Sequence, residues 1–199
     1  MLTGDMLRRA AVRFPDKAAL IWEGRHTSYA DLNADANRLA HALAGLGLKK
    51  GDKVGIVSRN RTEYGVVFFG AAKSGCILVN VSVLYAPDEL QYVLNKADVQ
   101  ALIYEDLFAE KIDAVRDRCP KIETYIPIGA PFEDFIAGHS ADEPDVEIDE
   151  RDPFSMTYTG GTTGLPKGVL ASRRARAVTA HAVMVEEHID ERDIVGIVT

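Results

Sequence analysis

The chain has 199 residues, of which 47% are hydrophobic and 27% charged, a composition typical of a folded globular protein with a buried core. With 30 acidic against 23 basic side chains the formal net charge is −7, which argues against nucleic acid as a partner because a phosphate backbone attracts basic surfaces. No apolar run approaches the ~20 residues that a membrane-spanning helix needs, so the sequence predicts no membrane span.

Short apolar runs alternate with segments of helical periodicity over the first two thirds of the chain. The runs predict strands at residues 18–22, 26–28, 53–58, 76–81, 101–104 and 121–128. Helices are predicted after Ser28, at residues 60–75, from Pro87 onwards and at residues 108–119. Strands and helices that alternate at these spacings form right-handed crossovers. We therefore predict an α/β fold with a mostly parallel sheet and helices on both faces.

The cysteines and the first residues indicate the cellular compartment. Cys76 and Cys119 form no CxxC pair and lie among apolar neighbours, which predicts two buried thiols in a reducing environment. The residues after Met1 lack the basic and then apolar character of a secretory signal. The sequence therefore predicts a cytoplasmic protein.

An acidic segment separates the first α/β unit from the rest of the chain. Seven acidic side chains lie from Asp142 to Asp152, with Pro144 among them. Such a charge run is typical of a solvated connection, and its spacing does not match the ligand loop of an EF-hand, so no metal site is predicted. We predict an α/β unit at residues 1–138, an acidic connection at 139–153, and a further unit at 154–199 that opens with a strand at 154–159.

The segment from Tyr158 to Val169, with the sequence YTGGTTGLPKGV, concentrates the groups that a phosphate-binding loop needs. Its glycines allow main-chain N–H groups to approach an anion closely, two adjacent threonines add hydroxyl donors, and Lys167 adds a full positive charge. A glycine-rich hairpin without a binding role is the alternative. Four glycines, two threonines and a lysine together favour a phosphate-binding loop between two strands, at 154–159 and 168–171.

Two other signatures fit this segment less well. A Walker loop needs glycine before its lysine, Ser or Thr after it, and a helix at once, whereas Lys167 lies between Pro166 and Gly168. A nucleophile elbow, with threonine as the nucleophile between Gly160 and Gly164, also requires a helix directly after the turn. Pro166 disfavours that helix, so neither a Walker NTPase nor an elbow hydrolase is predicted.

The segment resembles the glycine-rich signature of the adenylate-forming superfamily, usually Thr-Ser-Gly-Thr-Thr-Gly-x-Pro-Lys-Gly-Val. It matches that signature throughout, except that Gly160 stands where serine is usual. Upstream, residues 27–32 (TSYADL), 51–56 (GDKVGI) and 85–90 (YAPDEL) resemble further stretches of the family in the same order. The chain is thus similar to the first part of the N-terminal adenylation (AMP-binding) domain of an AMP-forming acyl-CoA synthetase, of the fatty-acid or aryl-acid CoA ligase type.

The resemblance implies a reaction and its substrates. In this family a carboxylic acid attacks the α-phosphate of ATP, releasing pyrophosphate, and the thiol of coenzyme A then displaces AMP. The loop would bind the β- and γ-phosphates, with Mg²⁺ sharing their charge and Lys167 as the catalytic residue that stabilises the leaving pyrophosphate. The implied nucleotide-binding residues are Thr159, Gly160, Gly161, Thr162, Thr163, Gly164 and Lys167.

Other parts of the family's site would lie beyond Thr199. These are the adenine-stacking segment, the glutamate that holds magnesium, the aspartate that binds ribose and the lysine of a mobile C-terminal domain. We therefore expect the chain to be a truncated part of its parent enzyme and inactive by itself. A non-catalytic nucleotide-binding or assembly module that retains the fold is the alternative, and homo-oligomerisation is left open.

A last helix is predicted after Ser172. Its apolar stripe predicts a buried face formed by Ala175, Val178, Ala182, Val185 and Ile189. Arg173, Arg174 and Arg176 lie at its start, where the helix dipole disfavours cations, and the family often has histidine at the position of Arg173. The arginines are either exposed and tolerated, or close to an anion supplied by a ligand phosphate or by the acidic segment. Residues 193–199 predict a terminal strand.

Overall fold

A computed structural model of the chain describes residues 2–161 and 164–197. Within them, the strands are β1 (Ala18–Trp22), β2 (Arg25–Ser28), β3 (Lys53–Val57), β4 (Ile77–Asn80), β5 (Val99–Tyr104), β6 (Thr124–Pro127), β7 (Pro153–Gly161) and β8 (Gly164–Ser172). The α-helices are α1 (Thr3–Arg13), α2 (Tyr29–Gly45), α3 (Thr62–Ser74), α4 (Pro87–Lys96), α5 (Ala109–Arg116), α6 (Ala130–Ala137) and α7 (Arg173–Glu186).

Six strands form one sheet in the order β6-β5-β3-β4-β7-β8, and β1 pairs with β2 in a separate antiparallel hairpin. In the large sheet every pairing is parallel except the last, in which β8 runs antiparallel to β7. The central strands are nearly continuous apolar runs because both of their faces are buried, as in other parallel sheets. The predicted α/β class with a mostly parallel sheet is confirmed.

Helices cover both faces of this sheet. On one face α1, α2, α3 and α6 bury alternate residues of the strands, including Val54 and Ile56 of β3. On the opposite face α4 and α5 pack against Val57 of β3 and Val79 of β4. Ser28 caps α2 as predicted, accepting a hydrogen bond from the main-chain N–H of Asp31 at 3.0 Å.

The acidic connection, residues 139–153, lies along the surface and forms hydrogen bonds and ion pairs with α2 and α3. Lys73 of α3 has a side chain only 3% exposed, and its ammonium lies 2.7 Å from a carboxylate oxygen of Glu143. Asn33 and Asn37 of α2 donate to the other oxygen of the same carboxylate, at 2.8 and 3.3 Å. Farther along, Lys50 pairs with Asp152 at 3.0 Å. The connection is therefore charged and largely exposed, but it is attached to the fold at several points.

Two predictions for the end of the chain are wrong for the described residues. Residues 193–197 form neither helix nor strand, and Val198 and Thr199 lie outside the described residues. The apolar stripe of α7 is exposed, with Val178 at 58% and Val185 at 71%, whereas Arg173 and Ala177 are its buried residues. The periodicity correctly indicated a helix, but α7 packs against α1 and the hairpin through a different face, and Arg173 lies over the ring of Phe154 in β7.

Candidate functional site

The β7–β8 hairpin carries the glycine-rich segment. On one side β7 pairs with β4 only from Ser155 to Thr157, and on the other it pairs with β8 along its whole length. The hairpin thus extends four residues of β7 past its last pair with β4. The far end of the hairpin, at Gly161 and Gly164, lies at the edge where the parallel strands end, which is where open α/β sheets bind their ligands. Thr162 and Thr163, at the turn, lie outside the described residues.

Lys167 lies within β8, directly opposite Thr159 of β7. The Thr159 hydroxyl donates to the main-chain oxygen of Lys167 at 3.4 Å, and the lysine side chain is exposed. Opposed residues of an antiparallel pair point to the same face, so the ammonium and the hydroxyl lie on one side of the hairpin. Since β8 continues through Lys167 and no helix begins there, the structure excludes a Walker loop and a nucleophile elbow.

Pro166 and Gly168 fit their positions in β8 for different reasons. Among the described residues β8 is the last strand of the sheet, and an edge strand tolerates proline because one side of it has no ladder partner. A Cβ at Gly168 would lie 3.1 Å from Cζ of Tyr158, so glycine allows the aromatic ring to lie against the opposite strand.

Three polar side chains follow one another on one face of β7 and lead towards the turn. They are Ser155, Thr157 and Thr159, spaced by two as strand geometry requires. On the same face the Tyr64 hydroxyl donates to the Asn80 side-chain oxygen at 2.6 Å. The Asn80 amide in turn donates to the Thr157 hydroxyl at 3.4 Å. Burial raises the pKa of Tyr64, which keeps its hydroxyl a donor at neutral pH.

The sequence analysis did not single out this polar face. Its only sign in the sequence is the alternation of serine and threonine between Phe154 and Thr159, inside a strand that is otherwise apolar or aromatic. The contributions of Tyr64 and Asn80 depend on the strand order, which places β4 beside β7.

At the base of the hairpin the three arginines have three different environments. Arg173 is fully buried and donates to the main-chain oxygens of Ala72 at 2.5 Å and Cys76 at 3.4 Å. Arg174 pairs with Glu150 of the acidic segment at 2.9 Å, and Arg176 donates to the Ser155 hydroxyl at 2.9 Å. The view of all three as exposed charges is therefore wrong for Arg173. The acidic segment supplies an anion to Arg174.

The acidic segment also provides acceptors for the first main-chain donors of α7. The N–H groups of Arg173 and Arg174 donate to the carbonyl oxygens of Asp152 and Glu150, at 3.0 and 2.8 Å. These contacts satisfy donors that a helix N-terminus would otherwise leave without partners.

In residues 2–161 and 164–197 no three His, Cys, Asp or Glu side chains are grouped so as to hold a metal ion. Over the same residues, no helix has both the length and the apolar character needed to cross a bilayer.

Comparisons with known proteins agree with this architecture. A family model described as AMP-binding enzyme matches residues 7–198. The medium/long-chain-fatty-acid–CoA/3-oxocholest-4-en-26-oate–CoA ligase of Mycobacterium marinum is 36% identical over 181 residues, which cover 83% of this chain and 33% of that protein. The chain therefore spans about a third of the length of the curated relatives that it matches.

Solved structures show the same similarity. The anthranilate CoA ligase AuaEII in complex with anthranoyl-AMP superposes with a TM-score of 0.88 at 29% identity, over 91% of this chain and 36% of that one. The inhibitor-bound N-terminal domain of FACL13 from Mycobacterium tuberculosis superposes with a TM-score of 0.82 at 34% identity, over 86% of this chain and 44% of that one.

Proposed function

Because this chain belongs to the family of AMP-binding enzymes, we propose that it is the N-terminal part of an AMP-forming acid–CoA ligase. In the first step a carboxylate oxygen bonds to the α-phosphorus of ATP, and the bond to the β-phosphate oxygen breaks to release pyrophosphate. In the second step the thiol of coenzyme A loses its proton, bonds to the acyl carbon and displaces AMP. The observation that supports the proposal is the hairpin, whose strands bring Gly161, Gly164 and Lys167 to the edge where the parallel strands end.

In this proposal the segment from Thr159 to Lys167 binds the β- and γ-phosphates. Main-chain N–H groups at Gly160, Gly161 and Gly164 approach the phosphate oxygens, and the hydroxyls of Thr162 and Thr163 add donors. Lys167 places its ammonium against the pyrophosphate as negative charge develops on it. Groups fixed where charge develops stabilise a transition state more than the ground state. Glycine in place of serine at position 160 leaves the main-chain donors in place.

The polar face of β7 supports this placement. Thr157 and Thr159 place hydroxyl groups along the face of the strand that leads to Gly161, and Asn80 and Tyr64 extend this polar face to α3. A phosphate group at the turn would thus lie at the end of a polar surface.

Three further assignments belong to the proposal. ATP would enter with Mg²⁺ held by its phosphate oxygens. We assign no protein ligand to that ion, since the described residues provide no carboxylate cluster near the turn. The acid is of the fatty or aromatic class, which the names of the similar proteins support. The division into units 1–138, 139–153 and 154–199 and a cytoplasmic location remain predictions from the sequence, and homo-oligomerisation stays open.

The test is acid-dependent exchange of labelled pyrophosphate into ATP, measured on the full-length protein that contains this chain. We expect exchange only when a fatty or aromatic acid is present, and formation of the CoA thioester once coenzyme A is added. A full-length protein that binds ATP but shows no exchange with either class of acid would contradict the proposal, and would favour a non-catalytic nucleotide-binding module.

A further inference from the structure

The orientation of the β7–β8 hairpin depends on contacts at its base. Only Ser155 to Thr157 of β7 pair with β4, and among the described residues β8 pairs with β7 alone. The outer half of the hairpin, which carries the turn, has no other strand beside it in this part of the chain. A small rotation at the base would therefore move the turn by a larger distance.

Arg173 joins the base of the hairpin to the neighbouring layer. It directly follows β8, and its guanidinium reaches the junction between α3 and β4, where it donates to the oxygens of Ala72 and Cys76. The guanidinium also lies over the ring of Phe154 in β7, 5.4 Å from its centre. One side chain thus contacts the end of α3, the start of β4 and the first residues of β7.

The acceptors at this junction suit a cation. Ala72 is in the last turn of α3, where main-chain oxygens carry the partial negative charge of the helix dipole. Gly75, with a φ of +81°, then turns the chain towards β4 in a left-handed conformation that glycine adopts without strain. This turn lets the oxygens of Ala72 and Cys76 point at the same guanidinium.

The contact is specific to arginine. A guanidinium can donate to two acceptors at once through a planar fork, whereas the ammonium of lysine is a compact point charge. The buried charge is costly unless its hydrogen bonds are made, so displacement of α7 and β8 from this junction is opposed. Burial lowers the pKa of Arg173, but a guanidinium remains protonated at any physiological pH.

We propose that Arg173 is a positioning residue that sets the angle of the hairpin, and with it the positions of Gly161, Gly164 and Lys167 towards its far end. Arg173 itself lies at the opposite end of the hairpin from the turn and does not touch the nucleotide. The inference rests on the proposed function for its effect on ATP. Its effect on the hairpin is independent of that function.

The experiment compares Arg173→Lys, Arg173→Met and the control Arg174→Gln in the full-length protein. The control removes a cation one residue away whose partner, Glu150, is on the surface. We expect Arg173→Met to raise KM for ATP about tenfold or more, since a displacement of ~1 Å costs on the order of a hundredfold in rate. The KM for ATP of Arg173→Lys should lie between the values for Arg173→Met and the wild type. In each variant KM for the acid should change less than KM for ATP.

A second measurement does not depend on activity. Hydrogen exchange of main-chain amides in 155–161 and 164–172 should accelerate in Arg173→Met, while amides of β3 and β5 keep their protection. If Arg173→Met does not fold, KM for ATP and hydrogen exchange are both measured on Arg173→Lys instead. Unchanged KM for ATP, or an equal loss of protection across the whole sheet, would overturn the proposal. If the wild type shows no pyrophosphate exchange, the proposed function fails, and the amides of the hairpin still decide whether Arg173 orients it.

Discussion

Lys167 is the residue on which the proposed chemistry depends most. It lies opposite Thr159 on the exposed face of the hairpin, at the edge of the sheet where the parallel strands end. We expect Lys167→Ala in the full-length protein to slow pyrophosphate exchange by roughly ten- to a thousandfold, as for other donors aimed at developing charge. Lys121→Ala is the matched control. It removes a lysine that pairs with Asp98 at the other end of the sheet, where the parallel strands begin. Equal rates for the wild type and Lys167→Ala would remove this lysine from the mechanism.

The three arginines after β8 show why residue type alone did not predict their roles. The dipole of their own helix disfavours all three, yet Arg173 interacts with the opposite end of another helix, α3. Its acceptors are main-chain oxygens about a hundred positions earlier in the chain, and no local pattern reports them. The ion pair of Arg174 with Glu150 could be anticipated, because the acidic segment lies close in sequence.

Among the elements, the acidic connection contacts both α2 and α3 through the carboxylate of Glu143. Burial opposes ionisation of this side chain, but hydrogen bonds from Lys73 and Asn33 outweigh that effect and hold the pKa of Glu143 below its usual value. Its charge therefore stabilises the fold at pH values above the normal glutamate pKa. That contribution is lost as the pH falls through the lowered pKa.

We expect Glu143→Gln to lower the free energy of unfolding at pH 7 by about 1–2 kcal/mol, because one charge-assisted interaction of a half-exposed side chain is lost. The difference between wild type and variant should shrink in acid, below the ordinary glutamate pKa of 4.5. Urea denaturation at several pH values measures it. Glu147→Gln, in the same segment, is the control and should be neutral. A difference that stays constant from pH 7 into acid would show that the charge of Glu143 plays no part.

The packing of α2 against α3 depends on Gly70. A Cβ at this position would lie 2.7 Å from Cδ2 and 3.0 Å from Cβ of Leu39, so the two helices could not stay as close. We expect Gly70→Ala to destabilise the protein by about 1–3 kcal/mol through overpacking, although alanine favours helices over glycine by about 1 kcal/mol. Thermal denaturation should show unchanged stability for Gly138→Ala, where a Cβ meets nothing within 4 Å. A stabilised Gly70→Ala would mean that the helices adjust without cost.

For the whole molecule, we predict that the 199-residue chain alone binds ATP more weakly than micromolar. The chain spans about a third of its curated relatives, and the described part offers the phosphates a single hairpin. Few contacts with the phosphates offset the entropy that ATP loses when it is bound at one hairpin. Calorimetry on this chain decides the matter, and micromolar affinity would show a more complete nucleotide site than we infer.

Much of the architecture could be predicted because buried parallel strands are plain in sequence. Residues 54–57 of β3 form an uninterrupted buried run. The turn at Gly75 then marks the end of α3 and the start of the next strand, β4. Helix α1 was overlooked because its buried residues, Thr3, Gly4 and Leu7, include only one large apolar side chain. Helix α6 was overlooked because Pro131 and Gly138 resemble loop boundaries, although proline is well tolerated in a first helical turn.

The candidate site was only partly predictable for a related reason. The glycine-rich segment is local in sequence, and the strands that the sequence predicted before and after it are present as β7 and β8. Its surroundings are not local, since Tyr64, Asn80 and Thr157 meet only through the strand order. The side-chain roles at Thr162 and Thr163 stay predictions.

The pairing of Lys73 with Glu143 has a consequence for biosynthesis. The two residues are 70 positions apart, so at ~5–20 residues per second the ribosome adds the lysine several seconds before its carboxylate. During that interval, full closure of α2 and α3 would bury an ammonium whose other hydrogen-bond partners, among the described residues, are the side chains of Asn33 and Asn37. Released chains ending at residue 138 should therefore be cut by proteases within α2 and α3 more readily than released chains ending at residue 152. Equal resistance of the two lengths would mean that these helices close before the connection is made.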